Sequence, residues 1–128
     1  MIQQITEGVK ISVQSNFESS YFDGESLQFR FNYFIEIENN NPHSVQLISR
    51  KWTILEALNQ SEIIEGIGVV GQQPVLKPFE SYRYNSACAL KGPVGSMKGI
   101  YRMVRLSDQH IFEVIIPNFR LCAEFTQN

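Results

Sequence analysis

Cysteine is scarce in this sequence, and basic residues are nowhere concentrated. Cys88 and Cys122 are the two cysteines. No Cys-x-x-Cys and no neighbouring histidine accompany them, so no zinc site is expected. Two reduced, buried thiols fit a reducing compartment, although spacing alone leaves a disulfide open. The eleven Lys and Arg are scattered from Lys10 to Arg120, with Arg50-Lys51 the adjacent pair, and the net charge is -2. A protein that displaces counterions from phosphates normally carries a basic stripe, so nucleic acid is not an expected partner. No apolar run approaches the ~20 residues of a spanning helix, so no membrane role is expected. The start, Met1-Ile2-Gln3-Gln4, has neither the basic segment nor the apolar core of a signal peptide, and a cytoplasmic location is the expectation. A nucleophile elbow of the Gly-x-Ser-x-Gly kind is missing too, and Cys88 sits between Ala87 and Ala89 with no adjacent base. The sequence therefore offers no catalytic residues and implies no cofactor.

What is present is aromatic and alternating. Hydrophobic residues make up 43% of the 128 positions, with nine Phe and five Tyr. That is material for a packed core and for pleated, half-buried surfaces. Val9, Ile11 and Val13 alternate with polar neighbours, and Phe29, Phe31, Tyr33, Ile35 and Ile37 form the longest period-two run. Asn16 to Ser26 reads as a polar loop around the Asp23-Gly24 turn signal, and Asn39-Asn40-Asn41-Pro42 ends the long strand. Further strands are predicted over Val45–Leu55, Glu62–Glu65, Ser81–Ala87, Met97–Leu106 and Phe112–Ile116; Pro117 ends the last, and Phe119 and Leu121 continue an extended apolar pattern. In the first of these the apolar parity changes between Leu47 and Ile48, which requires a bulge or burial of both faces. No window carries a helical period. Some seven strands spaced by turns give an all-β fold, an antiparallel two-sheet β-sandwich, as one domain over residues 1–128.

Gly66-Ile67-Gly68-Val69-Val70-Gly71-Gln72-Gln73-Pro74 spells Gly-x-Gly-x-x-Gly. A dinucleotide loop must end a strand and open a helix. Pro74 and Pro78 follow at once, and Val75-Leu76-Lys77 between them is too short for a helix. Two readings remain. Gly66, Gly68 and Gly71 permit a bend, a bulge or close backbone packing. Alternatively, their N–H groups form a concavity for a phosphate. The bend is preferred, because no Lys-Ser/Thr follows as in a P-loop.

Read in order, several segments resemble the ApaG family. They are Gln46 to Ile54 around Arg50-Lys51-Trp52, the glycine stretch through Pro78, Tyr84-Asn85-Ser86, Gly95 to Met103, and Phe112 to Leu121. The resemblance runs from about Gly8 to Leu121. It implies a fibronectin type III or immunoglobulin-like sandwich and a bacterial source, and it carries over no enzymatic activity. Related domains in eukaryotic F-box proteins and in a polymerase-delta-interacting protein look like interaction modules. The family name is tied to cobalt and magnesium tolerance, and phosphate or pyrophosphate binding has been attached to its glycine motif. Where the family usually has Pro-Gly, this chain has Pro78-Phe79. Phe79 is a poor choice for positive φ, so that turn is expected to differ.

Candidate site residues follow. Arg50, beside Trp52, is either an interface anchor or a stacked or paired strand residue, and Trp52 is expected in the core. Gly66, Gly68, Gly71 and Arg50 are the ligand candidates for a phosphate-containing small molecule. Phe17, Tyr21 and Phe22 in the polar loop, with Phe125 in the tail, are the aromatic candidates for docking a protein partner. Glu36 with Glu38, and Glu62 with Glu65, read as solvated pairs rather than metal ligands, and His43 and His110 have no partner at ligand spacing. The expected function is a non-enzymatic binding module. Self-association is not decided by the sequence.

Overall fold

The computed structural model describes residues 1–56 and 59–123, with the side chain of residue 59 excepted. Alternation dominates it. On β3 (Leu27–Asn39) every odd residue from Phe29 to Ile37 is buried, while Phe34 stands half exposed on the other face. One sheet runs β1 (Ile2–Thr6), β2 (Val9–Phe22), β3, β7 (Ser81–Leu90). The second runs β5 (Asn59–Ile67), β4 (Val45–Glu56), β8 (Val94–Arg105), β9 (His110–Cys122), with the two-residue β6 (Val75–Leu76) also on β4. All these pairings are antiparallel. The described residues contain no helix, so no helix is long and apolar enough to cross a membrane.

The two inner faces share one core. Tyr33 of the first sheet lies 5.5 Å from Trp52 and 5.8 Å from Phe119, and the last two meet nearly edge to face at 85°. Aromatic pairs of this kind add roughly 0.5–1.5 kcal/mol beyond their burial. Trp52 is therefore a core residue, as its strand parity suggests. The Tyr84 and Tyr101 hydroxyls share a hydrogen bond that ties β7 to β8 across the sandwich. Burial pushes the phenols of Tyr33, Tyr84 and Tyr101 above the ordinary range. Their folded pKa values exceed the unfolded value of about 10, so the stability they contribute is complete below that pH and is lost as pH rises past it. On alkaline titration their tyrosinate absorbance should appear together with loss of near-UV circular dichroism. Ionisation of these three in a folded molecule would contradict the packing.

Several elements differ from the sequence reading. β2 does not stop at Asn16. It continues to Phe22, with a bulge at Glu18; β7 backs β3 as far as Phe29, Phe17 still packs on the core, and the last pairs, Tyr21–Gln28 and Phe22–Leu27, form a two-stranded end. β1 has no apolar alternation and owes its form to pairing with β2. Pro117 does not end β9. It sits where β9 slips register against β8, between the Met97–Phe119 and Gly99–Ile116 pairs, a bulge that needs no ladder donor. The parity change in β4 is a bulge at Ile48.

The Lys77-Pro78-Phe79-Glu80 turn keeps the geometry of Pro-Gly despite its phenylalanine. Glu80 N–H donates to Lys77 O at 3.0 Å, and Phe79 adopts φ 63°. This corrects the expectation that Phe79 would change the turn. The Phe79 N–H donates to Asn39 O at 2.7 Å, and that anchor outweighs a left-handed cost of about 1 kcal/mol. Phe79→Gly should therefore raise stability by roughly 0.5 kcal/mol, after allowing for glycine's greater chain entropy. A lower denaturation midpoint would mean that the ring, 71% exposed, contributes contacts of its own.

Candidate functional site

The glycine stretch begins on β5, where Gly66 lies directly opposite Arg50 of β4. Directly opposed residues share a face, and this is the inner face, shared with Trp52 and Ile54. A Cβ on Gly66 would fall 2.7 to 2.8 Å from three atoms of the Arg50 guanidinium. The glycine is thus the floor on which the guanidinium rests. From there Arg50 Nη1 donates to Ile67 O at 3.1 Å and to Gly68 O at 2.7 Å. Arg50 closes no ion pair among the described residues. It anchors the end of β5 to β4.

Gly68 then turns the chain at φ 63°, and its N–H donates to Ile48 O at 2.8 Å. Residues 69–72 close a two-residue hairpin with reciprocal bonds, Val69 N to Gln72 O at 2.8 Å and Gln72 N to Val69 O at 2.9 Å. Its central residues, Val70 (φ 47°) and Gly71 (φ 76°), both have positive φ, as a type I′ turn requires. Gln73 Nε2 also donates to Ile48 O at 3.0 Å, and Gln46 Nε2 donates to Gln73 O at 3.1 Å. The bulge at Ile48 frees the carbonyl that receives both Gly68 and Gln73. The N–H groups of Gly68, Val69 and Gln72 are thereby committed to backbone carbonyls.

Beside this hairpin lies the outer face of the second sheet. Strand register sets out its rows: Glu65, Lys51, Ile100, Ile115, and next to them Ile67, Ser49, Arg102, Glu113. Ile63, Ile67, Ile111 and Ile115 stand 59%, 75%, 61% and 42% exposed. Two shallow hollows of about 450 and 430 Å³ adjoin along Lys51 and Ile100. The face is mixed, with isoleucines set among Lys51, Lys98, Arg102, Glu65 and Glu113, and Arg102 lies 4.0 Å from Glu113. Its chemistry is that of a docking surface: isoleucine area to bury and charges to set register.

The aromatic candidates separate. Phe17 is half-buried, with its ring 5.5 Å from Phe31. Tyr21 and Phe22 are exposed at the β2–β3 ribbon end, where Phe22 pairs with exposed Leu27. Asp23 Oδ1 closes that end by accepting from the N–H groups of Glu25 and Ser26, both at 2.9 Å, and these bonds hold its carboxyl below the usual range. Phe125 lies outside the described residues. The ribbon end and the glycine hairpin sit on different sheets, so the candidates do not form one site. Sequence reasoning passed over the isoleucines of β5 and β9. The available signal was Ile63 and Ile67 flanking Glu65 at period two, on a strand with no large apolar partner of opposite parity beyond Ile64.

The carboxylates do not gather. Glu36 pairs with Arg83 at 2.9 Å and Glu38 with Lys10 at 3.2 Å, each across neighbouring strands. Among the described residues no three His, Cys, Asp or Glu side chains converge to hold a metal ion. Cys88 and Cys122 are unbonded to each other, and burial pushes the Cys88 thiol up to about 11, away from nucleophilic use at neutral pH.

Known proteins match this arrangement along most of its length. The Protein ApaG of Anaeromyxobacter dehalogenans strain 2CP-1 is 44% identical over 128 residues, covering 100% of both chains. That of Beijerinckia indica is 40% identical over 127 residues, covering 99% of this chain and 97% of the other. Among solved structures, the putative ApaA protein of Bordetella pertussis superposes with a TM-score of 0.78 at 36% identity, covering 89% of this chain and 92% of its own. A structural-genomics X-ray structure gives 0.85 at 32% identity, covering 90% and 86%. The ApaG domain profile matches residues 19–105, which hold the Arg50 anchor and the whole glycine hairpin. By sequence, domain profile and sandwich alike, the chain belongs to the ApaG family.

Proposed function

We infer that this protein is a non-enzymatic, cytoplasmic docking module that binds a protein partner through the outer face of the second sheet. The observation that carries the reading is the set of exposed isoleucines, Ile63, Ile67, Ile111 and Ile115, on a paired and therefore rigid sheet. Burying an exposed isoleucine contributes on the order of 1.5–3 kcal/mol, so a few such contacts sustain a specific complex. Phe22 and its cross-strand partner Leu27 form a second, smaller apolar pair at the far ribbon end, with Tyr21 on the opposite face. A link to cobalt or magnesium tolerance fits this reading as an effect passed through the partner, since the described carboxylates and histidines do not assemble a site.

The alternative, a phosphate or pyrophosphate held by Gly66, Gly68, Gly71 and Arg50, has less to draw on. The hairpin uses the Gly68, Val69 and Gln72 amides, which leaves Val70 and Gly71 at its tip. Arg50 spends Nη1 on two carbonyls.

Two measurements divide these readings. In affinity capture from the native cell, an Ile67→Lys/Ile115→Lys variant with unchanged melting should recover a specific partner at least about tenfold less than the wild type, the loss expected for one buried hydrophobic contact. Equal recovery would remove the sheet face from the account. Calorimetric titration with pyrophosphate should give no saturable heat. Saturable binding that weakens on Arg50→Met would favour the phosphate reading instead.

A further inference from the structure

β5 is an open edge. It pairs with β4 on one side, and no strand among the described residues pairs with its other side. The opposite edge of the same sheet, β9, is partly covered, for Ile115 N–H donates to Thr6 Oγ1 of β1 at 3.2 Å. Edges are normally protected by proline, lysine, bulges or short length. From Glu62 to Ile67 β5 has none of these; the carboxylates of Glu62 and Glu65 are the charges that guard it, and Ile63, Ile64 and Ile67 stand exposed.

The phase of its free groups follows from one bond. Gly68 N–H donates to Ile48 O, in the same register as the Ser49–Ile67 and Arg50–Gly66 pairs. Antiparallel pairs alternate between bonded and non-bonded. Glu62, Ile64 and Gly66 therefore spend their backbone groups on β4, while Ile63, Glu65 and Ile67 turn theirs outward. Arg50 takes the Ile67 carbonyl, which ends the open ladder there.

Charge selects what can pair. β5 carries Glu62 and Glu65 and no basic residue. Neither carboxylate closes an ion pair among the described residues, although Glu65 lies opposite Lys51. A second copy of this chain would bring two more carboxylates to the seam and no cation from its own β5. An incoming strand does best with apolar residues beside Ile63 and Ile67 and a basic residue between them beside Glu65.

We propose that β5 accepts an extended segment of the partner as an added antiparallel strand, with an apolar-x-basic-x-apolar pattern over Ile63, Glu65 and Ile67. This rests on the docking reading above and names its chemistry. Main-chain bonds hold the segment, and the alternate side chains select it.

The probe is a synthetic peptide of about ten residues, the length of an ordinary strand, alternating valine with threonine and with lysine at its centre. A second peptide replaces the lysine by glutamate. At saturation the lysine peptide should slow amide exchange of Ile63 and Glu65 by roughly tenfold or more, and the glutamate peptide should not. Ile63→Pro deletes one outward N–H and none of the β4 bonds, a position where an edge strand tolerates proline, so it should abolish the effect with little change in melting. Glu62→Lys/Glu65→Lys, both at exposed side chains, should reverse the preference between the peptides. Protection elsewhere, or binding that survives Ile63→Pro, would overturn strand addition. So would dimerisation through β5 in the absence of peptide. Loss of peptide binding with partner capture still dependent on Ile67 and Ile115 would overturn the added strand and leave face docking standing.

Discussion

Gly68→Ala should be the most damaging single substitution in the glycine stretch, lowering stability by about 3 kcal/mol or more. Two costs add. Alanine at φ 63° pays roughly 1–2 kcal/mol for the left-handed backbone. Its Cβ would also sit 2.1 Å from Gln72 O, a backbone atom held by the Val69–Gln72 hairpin. Relief requires opening the hairpin and releasing the bond to Ile48 O. Gly71→Ala is the control. It has φ 76° but nothing within 4 Å of the new carbon, so it should cost the backbone term alone, about 1 kcal/mol. Gly66→Ala falls between, because the atoms it meets are the movable end of Arg50. Chemical denaturation of the three variants checks the order Gly68, Gly66, Gly71. An equal, small loss at all three would show that the stretch is not the constrained hairpin described.

Asn39→Ala should lower stability by about 3 kcal/mol, through lost hydrogen bonds rather than a lost apolar contact. Asn39 is fully buried. Its Nδ2 donates to His43 O at 2.9 Å, Leu76 O at 3.1 Å and Lys77 O at 3.2 Å. Its Oδ1 accepts from the backbone N–H and the side-chain amide of Asn41, both at 3.1 Å. One amide thus fixes the turn after β3 and the entry to the Pro78-Phe79 turn. Alanine leaves those carbonyls with no compensating donor. Asn39→Asp should do at least as much harm, since a carboxylate would face the same three carbonyl oxygens. Thermal and denaturant unfolding measure both. A loss below about 1 kcal/mol would mean that water replaces the amide, and the hub would then be dispensable.

The core strands were legible because burial on one face writes a period of two into the sequence, as Phe29 to Ile37 do. Where a strand leaves the core the period vanishes. Ser19 and Ser20 read as loop yet lie in the sheet beyond the Glu18 bulge, for pairing asks only that backbone groups be matched. The parity break after Leu47 announced the β4 bulge, but not that Ile48 O would hold the glycine hairpin. Gly66 illustrates the wider limit. Its reason is the guanidinium of Arg50, sixteen positions earlier in the chain and opposite only once the register is known. The exposed isoleucines were missed for a related reason. Isoleucine is a core residue by habit, and the parity that sets Ile63 and Ile67 beside Glu65, and Ile111 and Ile115 beside Glu113, is decisive only once the inner and outer faces are known.

On the reading proposed above, the glycine stretch serves the fold and the isoleucine face beside it serves the partner. Photo-crosslinking in the native cell tests this most directly, with a benzophenone amino acid placed singly at Ile67, at Ile115 and, for comparison, at Phe22. Protein adducts should form from Ile67 and Ile115, disappear when Ile63→Lys is added, and not form from Phe22. Adducts from Phe22 alone would contradict it and move the partner to the β2–β3 ribbon end.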